Sequence, residues 1–319
     1  MDVLYWNLNG VTSSRFLLDH LIEEKVKIDD RNFEFICLSE TKINRVNNIE
    51  FQNSFPQYCV FSNTYDSDIK AVDGELDDIH SKHGVALLVS KTLMHRIVPT
   101  KVTNPHFSAV MLNAGNNYDI KILVISVYLP TYSNDQTKYI LTLLQIQDLV
   151  EKLKPDQIIG FGDWNVSEVS PLQRQTFFRE WLENNSVEIH YPDKPTHRMY
   201  TTGRQSYLDG VLISRQINQY LYGNRTLDEE ELKMPIPSDH NPVIATLDID
   251  IQDLKPYGEV TKEIYPGIRL KILPEKIKEW NERIKEKMAT IEPYHENADN
   301  MRLRAISDII ITSSEEVFG

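Results

Sequence analysis

Residues 157–165 read Gln157-Ile158-Ile159-Gly160-Phe161-Gly162-Asp163-Trp164-Asn165. An apolar run this short suits a buried strand, and it stops on a carboxylate and an amide. The same arrangement recurs along the chain. Val3 to Leu8 alternates like a strand and carries Asn7 and Asn9 at its end, and Phe33 to Leu38 runs into Ser39-Glu40-Thr41-Lys42. Ile122 to Val127 ends at Tyr128, Asp209 enters the run leading to Ile213, and Ser238-Asp239-His240 precedes the strand candidate Val243 to Ile249. Loops at one end of packed strands are where a rigid scaffold gathers chemistry, so residues this far apart in sequence are candidates to converge.

Further strands are read at Tyr58 to Phe61, Gly84 to Ser90, Phe107 to Asn113, Ile120 to Tyr128, Val187 to His190 and Tyr207 to Ile213. Helices are read at Arg15 to Glu24, whose Phe16, Leu17, Leu18, Leu21 and Ile22 share a face, at Asn134 to Leu153, and at Leu172 to Glu183. About ten strands with few helices between them predict two packed sheets with helices outside. After residue 251, Pro256, Gly258, Pro266 and Gly267 punctuate the chain, and two amphipathic runs follow at Pro274 to Ile291 and Asn300 to Ser314. The expected division is therefore a folded domain over 1–251 and a linker with a helical extension over 252–319.

Hydrophobic residues at 41% and charged residues at 25% are ordinary globular usage, which excludes a fibrous or largely disordered chain. The two cysteines, Cys37 and Cys59, exclude a disulfide framework and a cysteine-ligated zinc site. No apolar stretch approaches the roughly 18 residues of a membrane helix. Asp2, Asn7 and Asn9 interrupt the apolar residues of the N-terminus, unlike a signal peptide, so a soluble intracellular protein is expected. The net charge of −13 is the wrong sign for tight non-specific binding to nucleic acid. It leaves room for a phosphodiesterase, because carboxylates hold a divalent cation that supplies local positive charge. The acidic run from Asp66 to Asp78 reads as a solvated loop; its spacing does not fit a calcium-binding EF-hand.

Each polar strand end has an ordinary explanation when taken alone. Asn9-Gly10 is a common turn pair, Asp163 could cap a helix, and His240 could be satisfied by a carbonyl. Together, Asn9, Glu40, Asp163, Asn165, Asp209, Asp239 and His240 are what a hard-metal phosphodiesterase requires: oxygen donors for magnesium, and a histidine that, paired with an aspartate, can shuttle protons or stabilise a phosphorane.

On these residues the sequence resembles the endonuclease/exonuclease/phosphatase superfamily. The elements are Leu8-Asn9-Gly10, Ser39-Glu40-Thr41-Lys42, Gly162-Asp163-Trp164-Asn165, Tyr207-Leu208-Asp209-Gly210 and Ser238-Asp239-His240-Asn241-Pro242, in the superfamily's order. Within it the chain looks most like the endonuclease domain of non-LTR (LINE-type) retrotransposons. The pointers are Met1 to Gly10, His83-Gly84-Val85-Ala86-Leu87-Leu88-Val89, Val127-Tyr128-Leu129-Pro130 and Pro195-Thr196-His197. The resemblance spans roughly residues 1–249 and implies a DNase-I-like α/β fold, a four-layered sandwich of two packed mixed β-sheets flanked by helices. The segment beyond resembles a linker toward a reverse transcriptase.

The resemblance implies a magnesium-dependent endonuclease, with manganese as a substitute, that nicks double-stranded DNA to leave a 3′-hydroxyl and a 5′-phosphate. Glu40 would bind the metal with Asn9 and Asp239 beside it, and Asp163 with Asn165 would orient and deprotonate water. Asp209 would hold His240 against the phosphate, Tyr128 would hydrogen-bond that phosphate, and Asn7 would brace the first loop. Whether Asp163 or a metal-activated water is the base is left open. Asn7, Thr196, Arg198, Arg204 and Ser238 are the expected phosphate and DNA contacts, with Lys194 and His197 in the same local patch. Gly210 stands where relatives often carry a larger side chain, so packing about the Asp209–His240 pair is expected to differ. The implied partners are DNA, a reverse transcriptase in the same polyprotein and the element's RNA, and the implied location is nuclear, otherwise cytoplasmic. The rivals are a cellular apurinic/apyrimidinic repair endonuclease, a phosphoesterase acting on lipids or inositol phosphates, and a catalytically inactive interaction domain.

Overall fold

The computed structural model describes residues 1–29, 32–43, 47–63, 84–102, 104–115, 119–131, 136–168 and 170–249. The acidic run 66–78 and the expected extension over 252–319 lie outside the described residues.

Fourteen strands lie among the described residues: β1 Asp2–Asn7, β2 Phe35–Ser39, β3 Tyr58–Asn63, β4 Val85–Ser90, β5 Ile97–Pro99, β6 Phe107–Ala114, β7 Ile120–Tyr128, β8 Gln157–Asp163, β9 Val187–His190, β10 His197–Arg198, β11 Gln205–Ser206, β12 Asp209–Ser214, β13 Leu221–Thr226 and β14 Val243–Leu247. Twelve form two six-stranded sheets, ordered β13-β14-β1-β2-β4-β3 and β5-β6-β7-β8-β12-β9, and β10 with β11 makes a two-stranded ribbon. Each large sheet is mixed, with one parallel pair at its centre: β1 with β2, and β7 with β8.

The helices are α1 Val11–Asp29, α2 Asn48–Asn53, α3 Gln136–Leu153, α4 Leu172–Asn184 and α5 Glu229–Leu232. Strand period decides the layers. Val3 and Tyr5 of β1 point into the core between the sheets with Ile159 and Phe161 of β8. Leu4 and Trp6 point the other way, onto Leu17, Leu18, Leu21 and Ile22 of α1. On the far side, Leu123 and Ile125 of β7 meet Tyr139, Leu143 and Ile146 of α3 and Phe178 and Trp181 of α4. Being covered on both faces, β1, β2, β4 and β8 are buried throughout, which explains their continuous apolar runs. The expected four-layered sandwich is thus present.

The ordinary strands and long helices fall within a few residues of the sequence reading. Three pieces of sheet escaped it. β5 is three residues ending on Pro99 at a sheet edge, and β13 is an edge strand broken by a register shift at Gly223 with Tyr222 exposed. The β10–β11 ribbon is too short to carry any period.

Register alone gathers the polar strand ends. Parallel β7–β8 pairing sets Tyr128 beside Asp163, and antiparallel β8–β12 pairing sets Asp209 opposite Asp163. In the other sheet, parallel β1–β2 pairing sets Asn7 beside Ser39, so that Glu40 follows at once.

Candidate active site

The strand ends at Asn7 and Asp163 are built alike. The Asn7 side chain accepts from the backbone N–H of Asn9 (3.1 Å), and that of Asp163 accepts from the N–H of Asn165 (2.9 Å). Such Asx turns satisfy the first free N–H beyond a strand. Asn9 and Asn165 share a φ of 48°, a left-handed conformation that asparagine tolerates best among non-glycine residues. Glu40 adopts φ 46°, where glutamate has no such preference, so strain is held where the chain must turn its carboxylate inward.

Asn7 joins the two sheets. It is fully buried, and its amide donates to Glu40 Oε1 (3.1 Å) and to Asp163 Oδ2 (3.0 Å). Both amide hydrogens are thereby engaged, so Asn7 braces the site from below. Ser238 is likewise a brace: its hydroxyl donates to the Asn7 carbonyl (2.7 Å) and accepts from the N–H of His240 (3.1 Å). Thr196, fully buried, accepts at Oγ1 from the N–H groups of Leu208 (3.2 Å) and Asp209 (3.1 Å). Arg198 and Arg204 are exposed on the ribbon strands and the turn between them, with the backbone of Arg198 donating to the Asp239 carbonyl (2.8 Å).

His240 donates through Nδ1 to Asp209 Oδ2 at 2.6 Å, and its Nε2 lies 3.8 Å from Asp163 Oδ2. Both ion pairs are buried. The Trp6 indole N–H fixes the His240 carbonyl (2.8 Å), and the Trp164 indole fixes the Gly210 carbonyl (3.0 Å). A Cβ on Gly210 would stand 3.0 Å from the His190 carbonyl and 3.2 Å from the Ile189 side chain, so the close approach of β9 accounts for the small residue there.

The electrostatics follow from burial. Desolvation, then the charge of Asp209, raises the Asp163 carboxyl well above the usual carboxylate range, while His240 and the Asn7 hydrogen bond pull the other way. Burial alone would lower His240, but Asp209 and Asp163 outweigh it and hold the ring as imidazolium. Burial, with the charges of Glu40 and Asp163, keeps the Tyr128 hydroxyl protonated; it hydrogen-bonds Glu40. Perturbed groups this close together are typical of reaction centres.

The donor set facing outward consists of oxygen. Glu40 is the partly exposed carboxylate, and Asn9 donates to Asp239 Oδ1 (3.3 Å) across the rim. The Lys42 ammonium rests on the Asn9 side-chain oxygen and lies 3.9 Å from Glu40 Oε2. A cation is therefore favoured at this point, and hard oxygen donors of this kind suit magnesium.

In the sequence Lys42 carries no signal beyond its place in Ser39-Glu40-Thr41-Lys42, two residues from Glu40. Arg174 was missed altogether. Buried on α4, it donates to the Asn165 carbonyl (2.9 Å) and stacks on the Tyr139 ring (4.0 Å), which anchors the loop after β8.

Residues 122–244 match the family model described as endonuclease-reverse transcriptase. No curated protein matches. Among solved structures, the chain is similar to the endonuclease domain of TRAS1, a telomere-specific non-LTR retrotransposon, at 17% identity and a TM-score of 0.54, covering 78% of this chain and 99% of that one. It is similar to the AP endonuclease LMAP from Leishmania major at 13% identity and a TM-score of 0.58, over 77% and 87% of the two chains. It is also similar to the APE2 catalytic domain from Xenopus laevis at 17% identity and a TM-score of 0.55, over 80% and 94%. At these identities the likeness is one of fold: two packed mixed six-stranded sheets flanked by helices.

Proposed function

We propose that this chain is a magnesium-dependent endonuclease that nicks double-stranded DNA, leaving a 3′-hydroxyl and a 5′-phosphate, and that it serves a non-LTR retrotransposon by providing the primer end for reverse transcription. The observation that carries the reading is the Asn7 bridge, which holds Glu40 and Asp163 from opposite sheets within hydrogen-bond reach of one side chain, beside the His240–Asp209 pair.

Glu40, with Asn9 and Asp239, would hold the magnesium ion, which when bound neutralises charge on the scissile phosphate. Asp163, oriented by Asn7 and by the N–H of Asn165, accepts the proton of the attacking water. A carboxyl raised by burial is better matched to that task at neutral pH than an ordinary aspartate. His240, kept protonated by Asp209, presents Nε2 to a phosphate oxygen and stabilises the charge that grows there. The Tyr128 hydroxyl would turn its one hydrogen from Glu40 to the phosphate. Arg198 and Arg204 contact the flanking backbone. A reverse transcriptase in the same polypeptide and a nuclear location complete the reading.

The test is nicking of a supercoiled plasmid with magnesium, with manganese and with EDTA. Asp163→Ala and His240→Ala should each lower nicking by about 10² or more while the fold is retained; unchanged rates in both would overturn the assignment. An abasic-site duplex compared with an intact one separates the second reading, suggested by the similarity to AP endonucleases, because a repair enzyme would strongly prefer the first.

A further inference from the structure

The ribbon strand β10 places a second imidazole against the site. His197 and His240 form an antiparallel bridge, so their side chains emerge on one face, with ring centroids 4.7 Å apart. Each ring is held by an oxygen on its far nitrogen: Ser206 Oγ lies 3.0 Å from His197 Nδ1, and Asp209 Oδ2 lies 2.6 Å from His240 Nδ1. Both Nε2 atoms are thereby left without that support: His197 Nε2 is 3.8 Å from Asp239 Oδ2, and His240 Nε2 is 3.8 Å from Asp163 Oδ2.

Imidazoles fixed through one nitrogen with the other turned to a shared point form the usual outer support of a transition-metal site. The three ligand atoms lie within 4.8 Å of one another. Tetrahedral coordination at bonds of about 2.0–2.1 Å needs ligand atoms about 3.4 Å apart, a side-chain adjustment on the order of 1 Å. The side chains of His197 and Asp239 are 18% and 30% exposed, so an ion can enter from solvent.

We propose that His197, Asp239 and His240 form a second cation site, nitrogen-rich and sharing only Asp239 with the all-oxygen position at Glu40, that takes a borderline-soft divalent ion of the zinc class and inhibits the enzyme when filled. Two imidazoles and one carboxylate select such an ion over magnesium. Occupancy takes the His240 Nε2 lone pair, releases the proton from that nitrogen to solvent, and removes the donor the phosphate needs. Asp163, 3.8 Å from the same nitrogen, is the competing partner. The inhibitory half rests on the proposed nuclease reading; the binding half does not.

The experiment uses the full, tag-free chain and cobalt(II) as the optical probe. Wild-type protein should develop the visible bands of tetrahedral cobalt, saturating near one equivalent, displaced by zinc and persisting in millimolar magnesium. His197→Phe should weaken that binding at least tenfold, and Glu40→Gln should leave it unchanged while abolishing magnesium-supported nicking. Zinc should inhibit wild-type nicking, with the inhibitory concentration raised at least tenfold in His197→Phe. His197→Gln, which keeps a polar side chain, replaces the phenylalanine variant if circular dichroism shows that one misfolded. Absence of the bands in wild type, or binding indifferent to both His197 substitutions, overturns the site. Loss of nicking with the cobalt bands intact faults the nuclease reading instead.

Discussion

Replacing Asn7 by aspartate exchanges one amide NH2 for an oxygen at nearly constant volume, yet it inverts the logic of the bridge. The amide now donates to Glu40 at 3.1 Å and to Asp163 at 3.0 Å, in a position with no exposure to water. In Asn7→Asp, the new carboxylate would face two others at those distances. At an effective dielectric of about 20, each like-charge pair at 3 Å repels by about 5 kcal/mol, so the three cannot all be ionised. The variant must bind a proton that its unfolded chain does not hold at neutral pH. Its folded-state carboxyl pKa is raised above the ordinary value near 3.9, so the destabilisation is full above the raised value and fades as pH falls toward the ordinary one. Urea unfolding in EDTA should show the variant less stable than wild type by about 3 kcal/mol or more at pH 7.5, with a clearly smaller gap at pH 5. Magnesium should narrow the gap at pH 7.5, since a cation between carboxylates binds only the folded state. Equal midpoints at pH 7.5, or a gap that does not shrink on acidification, would refute the bridge as described.

Gly162→Ala would set a Cβ 2.0 Å from the Val127 carbonyl at a φ of +137°, so a loss of about 3 kcal/mol or more is expected by denaturation, with nicking lost as Tyr128 and Asp163 part. Thr196→Val keeps the shape but strands the N–H groups of Leu208 and Asp209; a stability loss of about 1–3 kcal/mol and a slower nick are expected, and a neutral result would show that those N–H groups find another acceptor. Arg174→Leu should lower nicking more than stability-matched core substitutions do, because it frees the Asn165 carbonyl; equal effects would make Arg174 merely structural. A salt titration of nicking should give a shallow slope, in line with few phosphate contacts and a net charge of −13, and a steep one would reveal a basic surface beyond Arg198 and Arg204.

The sandwich was legible because strands buried on both faces must be apolar throughout, and runs such as Val3 to Trp6 and Ile122 to Val127 stand out at once. The convergence of Asn7, Glu40, Asp163, Asp209 and His240 was legible for a related reason, since polar residues at the ends of such runs have few other tasks. Their division of labour was not. That Asn7, Thr196 and Ser238 are buried braces depends on hydrogen bonds between residues as far as 231 positions apart, which no local pattern encodes. Arg174 was invisible because a cation on a helix reads as surface until the packing of α3 against α4 closes over it. His197 drew notice only as part of a basic patch; its facing of His240 comes from a bridge in a ribbon two residues long.

The Asn7–Asp163 hydrogen bond is a rung between the two packed sheets, and the layer beneath it sets its length. Tyr5 and Phe161, with rings 5.9 Å apart, lie two residues below on β1 and β8 and act as spacers for that rung. Interior substitutions that swell or thin this layer should therefore retune turnover with no catalytic group altered, making the aromatic filling a dial through which distant sequence drift reaches the chemistry.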